Sequence, residues 1–502
     1  MTQGKEALLA IDQGTTSSRA IVFAPDGSVI ASAQQEFAQI YPQPGWVEHD
    51  AEVIWATVTT TIRQAAAKAA KAGWVIRAAG VTNQRETAIV WDRKTGRPIH
   101  NAIVWQDRRT AGRCRDLRGG GNEGAIREKT GLVLDPYFSA TKFAWILDAV
   151  DGARDRAARG ELAFGTVDSF LIWRLTGGAV HATDATNASR TSLYDLKAAR
   201  WDDDLLGLFD VPATGLPEVR DSAAGYGAVL DDILPGGVPI CGVAGAQQAA
   251  AIGQACFHPG EAKSTYGTGA FLLLNTGDRM AASNNRLLST VAYRLNGKST
   301  FALEGSVLSA GATVQWLRDG LGLIGKASEI EALAASADPE SGVYFVPAFT
   351  GLGAPWWDAD ARGAILGLTR GAGRAEIAMA ALDSTAHQTG DLLDAMARDG
   401  VETKRLKVDG GMAANDRLLQ RLADLTHVEV TRPVNTESTA WGAAFLAGLG
   451  SGLFASLEDG AALWRADRTV SPQMDADSRD RARRGWAEAV ERVRTPHPSS
   501  NA

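Results

Sequence analysis

Four short stretches of this 502-residue chain carry side chains suited to handling anions and hydroxyls. The first is Asp12-Gln13-Gly14-Thr15-Thr16-Ser17-Ser18-Arg19. A turn with glycine and several hydroxyls offers backbone N–H and O–H donors without bulky side chains, which is what polyphosphate oxygens need. Asp12 can hold Mg2+ through water, and Arg19 adds a fixed positive charge. The second stretch, Gly267-Thr268-Gly269, repeats the glycine–hydroxyl pattern. One such turn is ordinary surface structure. Two, each beside an apolar strand in successive halves, point to phosphate. The third is Val408-Asp409-Gly410-Gly411-Met412-Ala413-Ala414-Asn415. A strand, a glycine pair and a helix start let backbone approach a nucleotide closely. The fourth is Asn83-Gln84-Arg85-Glu86. Arg85 and Glu86 can supply donors and acceptors to the adjacent hydroxyls of a small polyol, with Trp105 and Tyr137 as walls. Taken alone, Arg85 and Glu86 read first as a surface ion pair.

These stretches need elements to hold them. Ala7-Leu8-Leu9-Ala10-Ile11 is short and continuously apolar, the pattern of a central strand buried on both faces. Ala20-Ile21-Val22-Phe23 predicts a second strand, and Pro25-Asp26-Gly27 a turn into Val29-Ile30-Ala31. Asp50 suits a helix cap, and Ile54, Val58 and Ile62 recur every four residues behind it. Ala79–Thr82 and Ala88–Trp91 read as strands, and Phe143–Val150 as a helix. Hairpins mixed with crossovers predict an α/β fold with a mixed sheet. Strand, Gly-Thr turn and strand then recur, from Lys263-Ser264-Thr265-Tyr266 to Phe271-Leu272-Leu273-Leu274. The recurrence predicts two related domains, 1–255 and 256–450, followed by C-terminal helices and a frayed tail over 451–502.

Composition excludes several classes. Apolar residues make up 45% and charged residues 22%, a globular balance. The net charge of −7 disfavours general binding to nucleic acid or anionic membrane. No run reaches the ~18 apolar residues of a membrane span. The N-terminus lacks the basic-then-apolar pattern of a signal peptide. Cys114, Cys241 and Cys256 are too few and too scattered for a disulfide framework or a zinc site, and read as buried reduced thiols. These features predict a soluble cytoplasmic protein. Gly320-Leu-Gly-Leu-Ile-Gly325-Lys326-Ala327 fits G-x-G-x-x-G, but Ala327 replaces the hydroxyl a phosphate loop needs. Val314–Arg318 before it looks like a helix end, so a helix C-cap and turn are predicted there. None of the seven histidines has H-E-x-x-H spacing. Trp201-Asp202-Asp203-Asp204 reads as a solvated acidic loop.

Longer motifs carry a family resemblance. Asp12 to Arg19, Tyr41-Pro-Gln-Pro-Gly-Trp-Val-Glu-His-Asp50, Thr82-Asn-Gln-Arg-Glu-Thr87, Gly165-Thr-Val-Asp168, Thr186-Asn-Ala-Ser-Arg190, Tyr266 to Gly269 and Pro347-Ala-Phe-Thr-Gly-Leu-Gly-Ala-Pro355 closely resemble bacterial glycerol kinases, members of the FGGY carbohydrate-kinase family. That family's two signatures are matched as well. One is Tyr137–Asp148, with Lys142 and Trp145; the other is Gly363–Leu368 followed by Glu376–Asp383. The resemblance runs from about residue 6 to about residue 450. It implies an actin-like, ribonuclease-H-like fold of two α/β ATPase domains with a cleft between them. It implies transfer of the γ-phosphoryl group of ATP to glycerol, with Mg2+, giving sn-glycerol 3-phosphate and ADP, in a homo-oligomer (dimer or tetramer). Carried over by motif, it implies that Arg85, Glu86, Tyr137 and Gln247 hold glycerol hydroxyls, and that Trp105 and Phe271 flank its carbons. It implies nucleotide contacts at Thr15, Thr16, Ser17, Arg19, Thr268, Gly311, Gln315, Gly411 and Asn415, and Mg2+ near Asp12. Two other readings stay open: another sugar or polyol kinase of the family, or a non-catalytic actin-like nucleotide-binding homologue.

The chain departs from the resemblance at one decisive place. Gly245-Ala246-Gln247-Gln248 reads Gly-Asp-Gln-Gln in those kinases, where the Asp is the general base. A methyl group at position 246 can neither take a hydroxyl proton nor help to order a metal. The intact surroundings favour a deliberate substitution over a natural non-catalytic homologue, and strongly reduced activity is expected. A second departure lies at Asp231–Pro239. It has no Lys or Arg where some relatives bind fructose 1,6-bisphosphate, and so predicts a plain linking loop.

Overall fold

In the computed structural model, which describes residues 5–495, the chain builds two large mixed sheets. The first contains β1 (Lys5–Gln13), β2 (Ser17–Phe23), β3 (Val29–Glu36), β4 (Trp74–Asn83) and β5 (Ile240–Gly245). Their order is β5-β4-β1-β2-β3. β1 is buried from Ala7 to Gln13, as its continuous apolar run requires at the centre of a covered sheet. The turn after it brings β2 back antiparallel and sets Arg19 opposite Asp12. Helix α1 (Ala51–Lys71) covers one face. The Asp50 side chain caps it by accepting from the Glu52 N–H at 2.8 Å, and Ile54, Val58 and Ile62 are fully buried beneath it. Helix α2 (Ala140–Ala149) confirms the helix expected near Phe143.

The second sheet contains β6 (Glu261–Tyr266), β7 (Ala270–Gly277), β8 (Leu288–Leu295), β9 (Lys298–Val307), β10 (Arg405–Asp409), β11 (Val430–Pro433) and β12 (Ala466–Val470), in the order β8-β9-β7-β6-β10-β11-β12. It repeats the plan of the first. β6, like β1, runs antiparallel to the next strand through a Gly-Thr turn. It also pairs in parallel with a later crossover strand, as β1 does with β4. β12 comes from the segment after residue 450, which therefore supplies an edge strand as well as the expected helices. The tail 496–502 lies outside the described residues.

Helix α3 (Ala246–Gly253) follows β5, α4 (Gly311–Asp319) follows β9, and α5 (Asp416–Thr426) follows β10. Helix α6 (Ser438–Gly450) belongs to the second half by sequence but lies across the first sheet, with Ala443 against Gly80. α6 crosses α3 so closely that a side chain on Gly253 or Gly442 would collide with the other helix's backbone. Only glycine at both places permits this join between the domains.

Two local expectations resolve differently from each other. Gly320 is indeed the cap of α4, its N–H donating to the Trp316 carbonyl at 2.8 Å. Asp202, by contrast, is not in a free acidic loop. Its carboxylate caps a short helix, Asp203–Phe209, and pairs with Lys129 at 2.8 Å. An acidic run reads as loop from composition, yet Asp is also a preferred helix cap, and here a basic partner from a distant segment settles the choice.

Candidate active site

The loop after β4 and the start of α3 bring the proposed acceptor residues together. Arg85 and Glu86 are buried, at 4% and 1% exposure, so they do not form a surface pair. Their charged atoms lie 3.7 Å apart. Around them stands a closed network of two arginines and two glutamates. Arg85 donates to both carboxylate oxygens of Glu304, at 2.5 and 2.8 Å. Arg190 donates to Glu86 at 2.7 Å and to Glu304 at 2.9 Å. Burial alone would raise the Glu304 carboxyl, but the guanidiniums of Arg190 and Arg85 outweigh it and hold it down to about 2. Arg85 also reaches the Tyr137 hydroxyl at 3.4 Å.

Glu86 has left-handed backbone, φ 61°, which is rare outside glycine. Two donors fix its carbonyl: Ser139 Oγ at 3.0 Å and Lys142 Nζ at 3.2 Å. Lys142 also donates to the Tyr137 carbonyl at 2.5 Å. It is fully buried in the first turn of α2, and burial pushes its ammonium down to about 7. A cation there opposes the helix dipole and is desolvated. What it gains are the backbone carbonyls of Glu86 and Tyr137, two of the proposed acceptor residues.

Trp105 meets Tyr137 edge-on, with ring centroids 5.8 Å apart, and meets Phe271 in the same way at 6.1 Å. The three rings line a cavity of about 560 Å³ shared with Leu308, Thr350 and Trp357 of the second half. Position 246 adjoins this cluster. Ala246 is the first residue of α3, and the Arg85 stem packs against Gly245 just before it. The neighbouring Gln247 accepts from Lys263, which stands on β6 and also donates to Thr265 Oγ1 at 3.0 Å and the Phe271 carbonyl at 3.3 Å.

The proposed phosphate and nucleotide residues gather at the ends of β1, β6 and β10. Thr15, Thr16 and Ser17 form the β1–β2 turn, closed by Gly14 N–H donating to the Ser17 carbonyl at 2.9 Å. The Gly267-Thr268 turn packs on the start of α4. There Gly311 N–H donates to the Gly267 carbonyl at 2.9 Å, and Ala312 N–H to the Thr268 carbonyl at 3.0 Å. Gly410, at φ 86°, turns the chain after β10 against the backbone of Tyr266, which sets Gly411 beside the same group. Asn415 caps α5 by accepting from Leu418 N–H at 2.9 Å. Gln315 is exposed one turn into α4.

Asp12 is nearly buried, and its Oδ2 accepts from Arg19 Nε at 3.1 Å and from Nη2. Arg19 also donates to Glu437 at 2.7 Å. Among the described residues no group of three or more His, Cys, Asp or Glu could hold a metal. Mg2+ needs no such cage, since one carboxylate with substrate phosphates and water suffices. Asp12 fits that role as a single ligand, in competition with Arg19. The three cysteines are buried and free, and burial pushes the Cys114 and Cys256 thiols up to about 12. In Asp231–Pro239, the Gly236 and Gly237 N–H groups are already taken by Asp231 Oδ1, at 3.1 and 3.0 Å.

Sequence reasoning missed Arg190 as a partner of Glu86, and missed Glu304, Lys263 and the role of Lys142. Arg190 and Lys142 lay inside recognised motifs. Glu304 and Lys263 gave no local signal, because a lone charge in a strand reads as an exposed position.

Comparison with known proteins identifies the family and the fold. The N-terminal domain of the FGGY family of carbohydrate kinases matches residues 7–253, and its C-terminal domain matches residues 262–451. A glycerol kinase of Alteromonas mediterranea is 58% identical over 97% of this chain and 99% of its own length. One of Roseobacter denitrificans is 58% identical over 96% of this chain and 98% of its own. The crystal structure of Plasmodium falciparum glycerol kinase with ADP superposes with a TM-score of 0.92 at 36% identity, covering 98% of this chain and 99% of that one. A xylulose kinase from Lactobacillus acidophilus shares the fold, with a TM-score of 0.86 at 21% identity over 97% of each chain. Matched along both halves, and sharing more than half its residues with glycerol kinases over nearly its whole length, the chain belongs to the FGGY family of carbohydrate kinases.

Proposed function

We propose that this chain is a glycerol-binding phosphotransferase scaffold that carries the γ-phosphoryl group of ATP to glycerol, slowed by the methyl group at position 246. The observation that carries the reading is the buried Arg85–Glu86 pair beside the Trp105, Tyr137 and Phe271 rings. Charged donors and acceptors next to an apolar wall suit a molecule with adjacent hydroxyls and a short carbon face. The glycerol kinases that match this chain over almost its whole length support the choice of glycerol. Residues 1–255 would serve as the acceptor domain and 256–450 as the nucleotide domain.

Phosphoryl transfer needs positioning and charge stabilisation more than covalent chemistry. Arg85, Glu86, Tyr137 and Gln247 would orient the acceptor hydroxyl. The N–H groups and hydroxyls of the two Gly-Thr turns would hold the polyphosphate. Mg2+ bound with the nucleotide would neutralise developing phosphate charge. A bond forms from the acceptor oxygen to the γ-phosphorus, the bond to the β-phosphate oxygen breaks, and the hydroxyl proton leaves. With Ala246 in place, that proton has no carboxylate to receive it and passes to water, which accounts for the proposed slowing.

Arg85→Ala tests the acceptor assignment by calorimetry. Losing a charged hydrogen bond costs roughly 1.5–3 kcal/mol, so glycerol affinity should fall about 10- to 200-fold while a nonhydrolysable ATP analogue is far less affected. Unchanged glycerol binding would refute the assignment. The alternative reading is another sugar or polyol kinase of the same family, with a longer acceptor. A panel of polyols and ketoses in an ADP-release assay separates the two.

A further inference from the structure

Two charged residues of the second sheet reach across the domain boundary into the acceptor cluster. Glu304, on β9, is fully buried and accepts from Arg85 Nη1 and Nη2 at 2.5 and 2.8 Å, and from Arg190 Nη2 at 2.9 Å. Lys263, on β6, is fully buried and donates to Gln247 Oε1. Arg85 and Gln247 both belong to the first domain, one after β4 and the other in the first turn of α3.

The chemistry of each contact limits what its partner can offer. A bidentate carboxylate fixes the plane of a guanidinium as well as its position. Held this way, and with Nη1 also donating to Gln248 Oε1 at 3.2 Å, Arg85 keeps two loosely engaged donors: the second Nη2 proton, directed at the Tyr137 hydroxyl from 3.4 Å, and Nε–H, 3.7 Å from Glu86. An ammonium has only donors, so the Gln247 atom facing Lys263 must be the amide oxygen. The amide NH2 of Gln247 is then the end left free for a ligand, as a donor. Neither charge is explained by stability alone, because burying ions commonly costs as much as their attraction returns.

We propose that Glu304 and Lys263 are positioning residues of the acceptor site, setting the plane of Arg85 and the amide of Gln247 from the second domain. The acceptor site is then complete only when the domain carrying the Thr268 and Gly411 turns is seated on the first. Acceptor and nucleotide affinities become interdependent, each raising the other by the same factor. This rests on the reading of Arg85 and Gln247 as acceptor-binding residues.

Calorimetry on the full chain tests it, with glycerol and a nonhydrolysable ATP analogue as probes, each titrated with and without the other. The parent chain should bind glycerol, and more tightly when the analogue is present. Lys263→Met keeps the stem and removes the donors. It should weaken glycerol at least about tenfold, as loss of a charge-assisted contact does. Binding of the analogue alone should stay largely intact, and the mutual enhancement should shrink. Lys263→Arg, which can still donate to the Gln247 oxygen, should restore most of the glycerol affinity. Glu304→Gln should behave like Lys263→Met, with a melting curve recorded because it leaves a buried arginine pair short of one negative charge. If that variant does not fold, the Lys263 series decides. Unchanged glycerol affinity in Lys263→Met overturns the proposal. So does an equal loss of glycerol and analogue, which marks a merely structural role. A parent chain that binds no glycerol overturns the acceptor reading itself, and this proposal with it.

Discussion

The indole N–H of Trp105 donates to Oγ1 of Thr15 at 3.0 Å, across 90 residues of sequence. One wall of the proposed acceptor cavity is thereby tied to the β1–β2 turn, the proposed phosphate cradle. The two halves of the proposed reaction share a hydrogen bond. Trp105→Phe keeps an aromatic ring against Tyr137 and Phe271 but removes the donor. Glycerol and a nonhydrolysable ATP analogue should each lose affinity by about fivefold, the equivalent of a neutral hydrogen bond near 1 kcal/mol. Calorimetry checks this, and loss confined to glycerol would show that the bond does not link the two sites.

Restoring a carboxylate by Ala246→Asp should raise glycerol phosphorylation at least about 10²-fold, the lower end of what a positioned general base contributes. Position 246 opens α3, where a negative charge meets the positive end of the helix dipole, so stability should hold or rise by about 0.3–1 kcal/mol. A coupled ADP-release assay at saturating glycerol, with a melting curve for each form, measures both effects. Equal rates would remove position 246 from the proton-transfer role.

Lys142 and Ser139 together hold the left-handed Glu86 carbonyl. Lys142→Met should loosen both Glu86 and Tyr137 and weaken glycerol by about tenfold, for loss of a charge-assisted hydrogen bond. Nucleotide binding should change little, because the Lys142 ammonium donates to the Glu86 and Tyr137 carbonyls and to no proposed nucleotide residue. Ser139→Ala should act in the same direction with a smaller loss. Wild-type glycerol affinity in both variants would show that the strut has no part in the site.

Asp168 supplies a pH test of the core. Burial pushes its carboxyl up to about 7, even though Thr183 Oγ1 donates to it at 2.6 Å and Thr166 donates as well. The native state therefore holds a proton that the unfolded chain releases near pH 4. Between about pH 4 and pH 7 the native state binds more protons than the unfolded one, so this group's contribution to stability falls as pH rises. Asp168→Asn removes that slope. Relative to the variant, the parent should lose stability between pH 4.5 and 7.5, by roughly 4 kcal/mol at most. Denaturant unfolding at the two pH values measures the difference. A constant difference would mean that Asp168 is already ionised in the native state.

Short-range patterns were enough to place the elements that hold the site. The apolar run at Ala7–Ile11, the Gly-Thr turns, the cap at Asp50 and the strand–glycine–helix run at Asp409–Asn415 all appear where expected. Strand, turn and cap preferences act over a few residues and need no distant partner. The tertiary structure decided which charges are buried together. Glu304 sits in Phe301-Ala-Leu-Glu-Gly305, where alternation reads as one polar position of a strand, yet it faces Arg85 219 residues away. Asp202 gave the opposite error, an acidic loop by composition and a helix cap once Lys129 was beside it. The charge, exposure and partner of an ionisable group depend on which segments pack against it. Local preference specifies the segments, and only their assembly specifies the neighbours.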